Sequence, residues 1–259
     1  MPAWCFVTRV FCVLNGKCII VTGASRGLGR AIALHAARNG ARVGIDYLRS
    51  ESEAIRLRDE IGGAGGPEAV LLPFDATREA SITDGVERFL KICARLDGLV
   101  NNAARNLPGL LPMLDEQEIR AQVESALVGP ILCCRAALPA MLARRQGCIL
   151  NIGSITADRV FRGQSVYAAA KGGIASFTKA LAFEYARKGI RVNCLQPGPV
   201  DTDMFRQTDA LRGEDFASTL PQGCLVDAES VAAMAVLLLS DRTRSMTGSI
   251  VNVDGGYAL

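Results

Sequence analysis

Residues Cys18-Ile19-Ile20-Val21-Thr22-Gly23-Ala24-Ser25-Arg26-Gly27-Leu28-Gly29 decide how this 259-residue chain is read. A short apolar run leads into a turn with glycine at 23, 27 and 29, and a helical pattern starts near Arg30. Glycine allows a tight turn and lets the backbone approach a pyrophosphate, whose charge the following helix N-terminus favours. Gly23, Ser25, Arg26, Gly27, Leu28 and Gly29 are therefore candidate dinucleotide contacts. Such turns also arise for packing alone, and the spacing differs from G-x-G-x-x-G, so the reading needs support from elsewhere in the chain.

Working outward, apolar β-type runs recur at 18–21, 42–45, 70–74, 98–100, 148–152, 191–195 and 249–253. Stretches of helical periodicity lie between them at 30–39, 52–61, 81–94, 116–145 and 166–187, with a further one at 228–239. Strand alternating with helix predicts an α/β fold with a parallel sheet covered on both faces. The region 202–223 is long and mixed in charge, as lids over binding sites are.

Composition narrows the function classes. The net charge of +3 is scattered, without a basic tail or dense Lys/Arg run, which argues against a nucleic-acid partner. Nine cysteines, an odd number with no C-x-x-C pair, sit mostly in apolar segments and fit a reducing cytoplasm. His35 is the sole histidine, which nearly excludes a zinc site or a Ser-His-Asp triad. Beyond the N-terminal region no run of 18 uninterrupted apolar residues is present, so no membrane span is expected. Residues 4–14 are apolar, but Arg9 interrupts them and no basic segment precedes them; a cytosolic chain is expected, with 1–14 as an extension of open status.

The chemistry is carried further along. Asp75, with Ala76, follows the third predicted strand, where a carboxylate can accept from an adenine amino group; capping of the next helix would use the same residue. Asn101-Asn102-Ala103-Ala104 follows the fourth, at the strand end where ligands gather in open α/β sheets, which makes Asn102, Ala103 and Ala104 candidate cofactor contacts. Tyr167 and Lys171 are four apart in a helix-favouring segment and share one face. A cation beside a phenol favours its ionised form, so the tyrosine can exchange a proton with a carbonyl or hydroxyl oxygen. Ser154 ends the 148–153 run and can bond the same oxygen. Alone, each of these is as easily a solvated pair or a turn serine.

Taken in order, Thr22–Gly29, Asp75, Asn101–Ala104, Ser154, Tyr167-x-x-x-Lys171 and Pro197-Gly198 resemble the short-chain dehydrogenase/reductase family over residues 15–259. The resemblance implies a single Rossmann-type doubly wound domain with a seven-stranded parallel sheet, usually in a homotetramer. It implies that Ser154 orients the substrate, Tyr167 is the acid/base, and Lys171 holds the nicotinamide ribose and lowers the tyrosine pKa. It also implies that Pro197, Gly198, Val200 and Thr202 cover the nicotinamide. One departure stands out: the family generally has an asparagine, holding a water behind the lysine, where this chain has Ala126, with Ser125 a weak substitute beside it. A slower proton relay is expected.

NAD-using relatives place an acidic residue at the end of the second strand. Here Asp46 comes one position early, and Arg26, Arg49 and Ser50 can bind a 2′-phosphate, so NADP(H) is favoured and NAD(H) read by Asp46 is the alternative. The overall pattern most resembles bacterial 3-oxoacyl-[acyl-carrier-protein] reductases. That implies a 3-oxoacyl thioester or small-molecule ketone as substrate and an acyl carrier protein as partner, docked on basic residues such as Arg144, Arg145 and Lys188, although helix C-termini carry such charges anyway. Arg105, Asn106, Asp158, Arg159 and 204–220 are expected to shape the pocket. An NAD-dependent dehydrogenase of a small alcohol, sugar or steroid and a non-catalytic nucleotide-binding subunit are the competing readings; an intact Ser154, Tyr167 and Lys171 speaks against the second.

Overall fold

The computed structural model describes residues 12–203, 205–206 and 216–259. The apolar runs become β1 (Cys18–Val21), β2 (Arg42–Tyr47), β3 (Val70–Pro73), β4 (Gly98–Asn101), β5 (Gly147–Ile152), β6 (Ile190–Pro197) and β7 (Ile250–Val253). They form one seven-stranded sheet in the order β3-β2-β1-β4-β5-β6-β7, with every pairing parallel. Successive strands step outward from β1 to β3 and then from β4 to β7. The chain therefore switches direction between β1 and β4, which opens a crevice at their C-terminal ends.

Helices α1 (Gly27–Arg38), α2 (Glu51–Gly63), α3 (Glu79–Cys93), α4 (Glu116–Val123), α5 (Gly129–Arg144), α6 (Ser165–Tyr185) and α7 (Ala228–Leu239) cover both faces. On one face Ile32, Ala36, Leu57, Val231 and Ala235 from α1, α2 and α7 pack on the sheet. On the other, Val86, Phe89, Cys134, Met141 and Leu181 from α3, α5 and α6 do the same. A parallel sheet buried on both faces needs near-continuous apolar strands, and β1 and β5 are buried along their whole length.

Two differences from the sequence pattern bear on the site. The run expected as one helix at 116–145 is interrupted by a π-helical turn, Glu124–Val128, between α4 and α5. Pro130 explains it: a proline inside a helix has no N–H to donate and its ring crowds the carbonyl four residues back, that of Ala126. The α4–α5 run is also long and apolar enough to cross a membrane by length and composition, with a mean hydropathy of 1.8. It packs instead as a core helix of this sheet, its outer face carrying an Arg135–Glu79 ion pair. Elsewhere β2 and β6 run two residues beyond expectation, because Tyr47 pairs with Pro73 and Pro197 with Val253.

Candidate active site

The C-terminal ends of β1, β4, β5 and β6 converge on one crevice. At its β1 side, Gly23 (φ +61) turns the chain out of the strand and Gly27 (φ +55) opens α1. Arg26, the α1 N-cap, offers no side-chain bond, and the first turn holds no acidic residue. The leading N–H groups of α1 are thus left for an anion, with the helix dipole favouring it. A Cβ on Gly29 would lie 2.3 Å from the Gly23 carbonyl oxygen and 2.5 Å from Asn102 Nδ2, so only glycine fits this corner.

Three residues lock the turn. Asn102 Nδ2 donates to the carbonyls of Thr22 (2.9 Å) and Gly23 (3.2 Å), while Thr22 Oγ1 accepts the N–H groups of Asn102 and Ala103. Asp46 Oδ2 accepts the Gly23 N–H at 2.8 Å, and the Asp46 carbonyl accepts that of Ala24. Asp46 is buried, and burial pushes its carboxyl up to about 8, with Asp75 adding to the rise against bonds from the Gly23 and Phe74 backbone. Strand alternation has turned this carboxylate into the protein. It anchors the glycine turn. Tyr47, at the strand end, bonds Glu51. Arg26 and Arg49 are exposed and form no ion pair among the described residues, though the Arg26 charge helps hold the Glu53 carboxyl down after its Ser52 and backbone bonds.

Asp75 occupies the β3 end. Its Oδ1 accepts both the N–H and the hydroxyl of Thr77, at 2.9 and 2.6 Å. Burial works to raise this carboxyl, but the Thr77 bonds and the charges of Arg78 and Arg105 outweigh it and leave the pKa lowered. The α3 N-cap is Arg78, not Asp75. The Ala76 carbonyl sits so close to the start of α5 that a Cβ on Gly129 would come within 2.3 Å of it. Across the crevice the segment after β6 returns over the turn: Val200 bridges Val226, and Thr202 lies 3.7 Å from where a Gly27 Cβ would stand. Gly198 packs against Asp254, where a Cβ would meet Cα at 2.7 Å. The expected covering segment falls partly outside the described residues, which omit 204 and 207–215.

The proton-transfer candidates meet at the centre. Lys171 and Tyr167, one turn apart on α6, are both buried, with Lys171 Nζ 5.5 Å from the Tyr167 ring centroid. The ammonium donates to the Ile152 carbonyl at 2.6 Å, two residues before Ser154. Ser154 Oγ donates to Thr156 Oγ1 and accepts the Thr156 N–H. Ala104, beside the glycine-turn contacts, packs in the same cluster as Tyr167 and Ala170, so cofactor-side and proton-side residues are contiguous.

Burial dominates the electrostatics of the pair. Burial raises the Tyr167 phenol above its ordinary value and pulls Lys171 down to about 8, the latter against the nearby Cys194. Loss of water is the largest influence on both groups, and it disfavours the charged form of each. Sequence reasoning missed Cys194, and it also missed the chain Asn101–Asn151–Thr178 that stiffens the sheet below the site. The amides of Asn101 and Asn151 were visible at strand ends, but nothing local in sequence pairs them.

Known proteins resemble this chain over nearly its whole length. The family described as "Enoyl-(Acyl carrier protein) reductase" matches residues 23–258. A 3-oxoacyl-[acyl-carrier-protein] reductase of Bos taurus is 38% identical over 94% of this chain and 98% of its own length. The Escherichia coli 3-oxoacyl-[acyl-carrier-protein] reductase FabG is 36% identical over 93% and 97%. Among solved structures, a putative short-chain alcohol dehydrogenase from Sinorhizobium meliloti superposes with TM-score 0.88 at 31% identity, covering 95% of this chain and 98% of that one. The chain belongs to the short-chain dehydrogenase/reductase family. It is an oxidoreductase with the family's seven-stranded Rossmann-type sheet.

Against the short-chain dehydrogenase/reductase pattern, two expectations need correction. Ser125 does not stand in for the missing asparagine: its hydroxyl donates to the Ala121 carbonyl at 2.8 Å and accepts the Arg105 N–H at 3.0 Å. Ala126 itself is fully buried in the π-turn against Tyr167 and Ala170. Arg144, Arg145 and Lys188 do not flank the mouth of their own chain. They end helices that lead into β5 and β6, so they lie at the N-terminal edge of the sheet, opposite the crevice.

Proposed function

We propose that this chain is an NADPH-dependent reductase of a 3-oxoacyl thioester or a closely related ketone. The observation that carries the reading is the buried contact of Lys171 with Tyr167 beside Ser154, at the same sheet edge as the uncapped start of α1. Gly23, Ser25, Gly27, Leu28, Gly29 and Asn102 to Ala104 hold the dinucleotide, Asp75 and Ala76 receive the adenine, and Pro197, Gly198, Val200 and Thr202 cover the nicotinamide, which supplies the hydride. Arg26 and Arg49 meet the 2′-phosphate as charge-assisted donors. Their freedom from ion pairs and the inward turn of Asp46 favour NADP(H) over NAD(H).

Ser154 orients the ketone oxygen, and Tyr167 gives it a proton. A phenol whose pKa is raised by burial stays protonated at neutral pH, the form that reduction requires. Lys171, while cationic, stabilises the phenolate left behind. Ala126 leaves that lysine without the usual asparagine-held water, which slows its reprotonation. Residues 15–259 form one domain, the assembly is a homotetramer, and the compartment is the cytoplasm, in keeping with free thiols throughout the described residues. A carrier protein docking on Arg145 and Lys188 serves the mouth of a second copy, not its own.

The test is loss of reduced-nicotinamide absorbance with an acetoacetyl thioester. Oxidation of NADPH, absent in a Tyr167→Phe variant that still binds NADPH, is expected. Activity with NADH alone overturns the cofactor assignment; turnover of a 2-enoyl thioester but not the 3-oxo compound overturns the substrate.

A further inference from the structure

Tyr257, in the segment after β7, is buried at 4% exposure. Its ring stacks on Phe161 with centroids 5.4 Å apart and planes 5° from parallel, and the Arg159 guanidinium lies over the same ring at 4.3 Å. The Arg159 Nη1 also donates to the Tyr257 carbonyl. Ile155 and Leu220 complete a small apolar cluster with Tyr257. The segment is itself pinned, since the Asp254 carboxylate accepts the N–H groups of Gly256 (3.0 Å) and Ala258 (2.9 Å).

These contacts join two segments that bracket the crevice. Ile155, Arg159 and Phe161 belong to the loop that starts directly after Ser154, and Leu220 closes the region between β6 and α7. Among the described residues both lie outside the strand ladders, each with a 3-10 turn, Ile155–Ala157 and Phe216–Thr219. Arg159 and Phe161 approach one ring with a charge and a π face, a geometry that favours one arrangement of the loop over others.

We propose that Tyr257 is a positioning residue for the ketone: through Arg159 and Phe161 it sets the loop after Ser154, and through Leu220 it fastens that loop to the covering segment. The inference deepens the reductase reading and rests on it for its kinetic arm only. Tyr257→Ala raises the KM for the ketone about tenfold, with kcat and NADPH affinity much less changed. Tyr257→Phe, which keeps stack and cation–π contact, restores the KM. Independently of activity, amide hydrogen exchange in Tyr257→Ala increases across 155–164 and 217–225 and stays unchanged across the glycine turn at 22–30. Exchange unchanged in the two loops overturns the proposal whether or not any ketone is reduced. So does a KM that stays at the wild-type value, or one that Tyr257→Phe fails to restore. Wild-type protein inert toward every 3-oxo thioester, with the exchange pattern as expected, sinks the substrate reading and leaves the strut standing. If Tyr257→Ala does not fold, Arg159→Met is read the same way.

Discussion

Lys171 sets a pH limit on the reaction. Buried beside Tyr167, it is drawn down to about 8, so it is cationic below that pH and increasingly neutral above it. A neutral lysine cannot stabilise the phenolate formed when Tyr167 gives up its proton. The reductive kcat/KM is therefore expected to be level below pH 8 and to fall about tenfold per unit above it, read from a pH profile at saturating dinucleotide. Asp46 titrates in the same region with the opposite sense for stability. Its pKa rises from 3.8 to about 8 on folding, so the folded chain binds the proton more tightly and the cost of the buried charge grows as pH climbs through that window. Asp46→Asn keeps an acceptor for the Gly23 N–H without the charge. Its melting temperature should match wild type near pH 4 and exceed it by pH 9, the gap opening between those two values. The order of the motifs made Tyr167, Lys171 and Ser154 legible from sequence, but not the inward aim of Asp46. A one-residue offset along a strand suggests a direction, and only the Gly23 N–H waiting there decides it.

At the scale of elements, the glycine turn is defined by what it touches across the sheet. Asn102, from the β4 end, holds two of its carbonyls, and Gly29 leaves the space in which that amide sits. Gly29→Ala would drive a methyl into the Gly23 carbonyl and the Asn102 amide together. A loss of NADPH affinity of at least tenfold is expected by fluorescence titration, with the turn displaced and far-UV circular dichroism preserved. Strands and most helices were readable because their periodicities are local. The π-turn at Glu124–Val128 was not, since a single proline in an otherwise helical pattern does not say whether a helix stops, kinks or widens. The contacts of Tyr257 were equally invisible, for they join residues 98 apart in a chain stretch with no periodicity.

At the scale of the whole molecule, the all-parallel sheet keeps its two edges apart by the length of its strands and helices. Every strand delivers its C-terminal end to the crevice, and every helix returns the chain to the opposite edge. The ends of α5 and α6, with Arg145 and Lys188, are therefore about 24 Å from the mouth along the 16-residue α5. On the reading proposed above, a carrier protein bound there presents its thioester to the mouth of a second copy. Arg145→Glu combined with Lys188→Glu is thus expected to raise the KM for a carrier-bound 3-oxoacyl thioester about tenfold, more at low than at high salt, through lost charge complementarity. The KM for an N-acetylcysteamine thioester, which has no protein to dock, should not move. Dilution to the monomer, if the proposed assembly holds the second mouth, should abolish the preference for the carrier-bound substrate. An unchanged KM for both substrates in the double variant would show that the basic helix ends only balance helix dipoles, with docking located elsewhere.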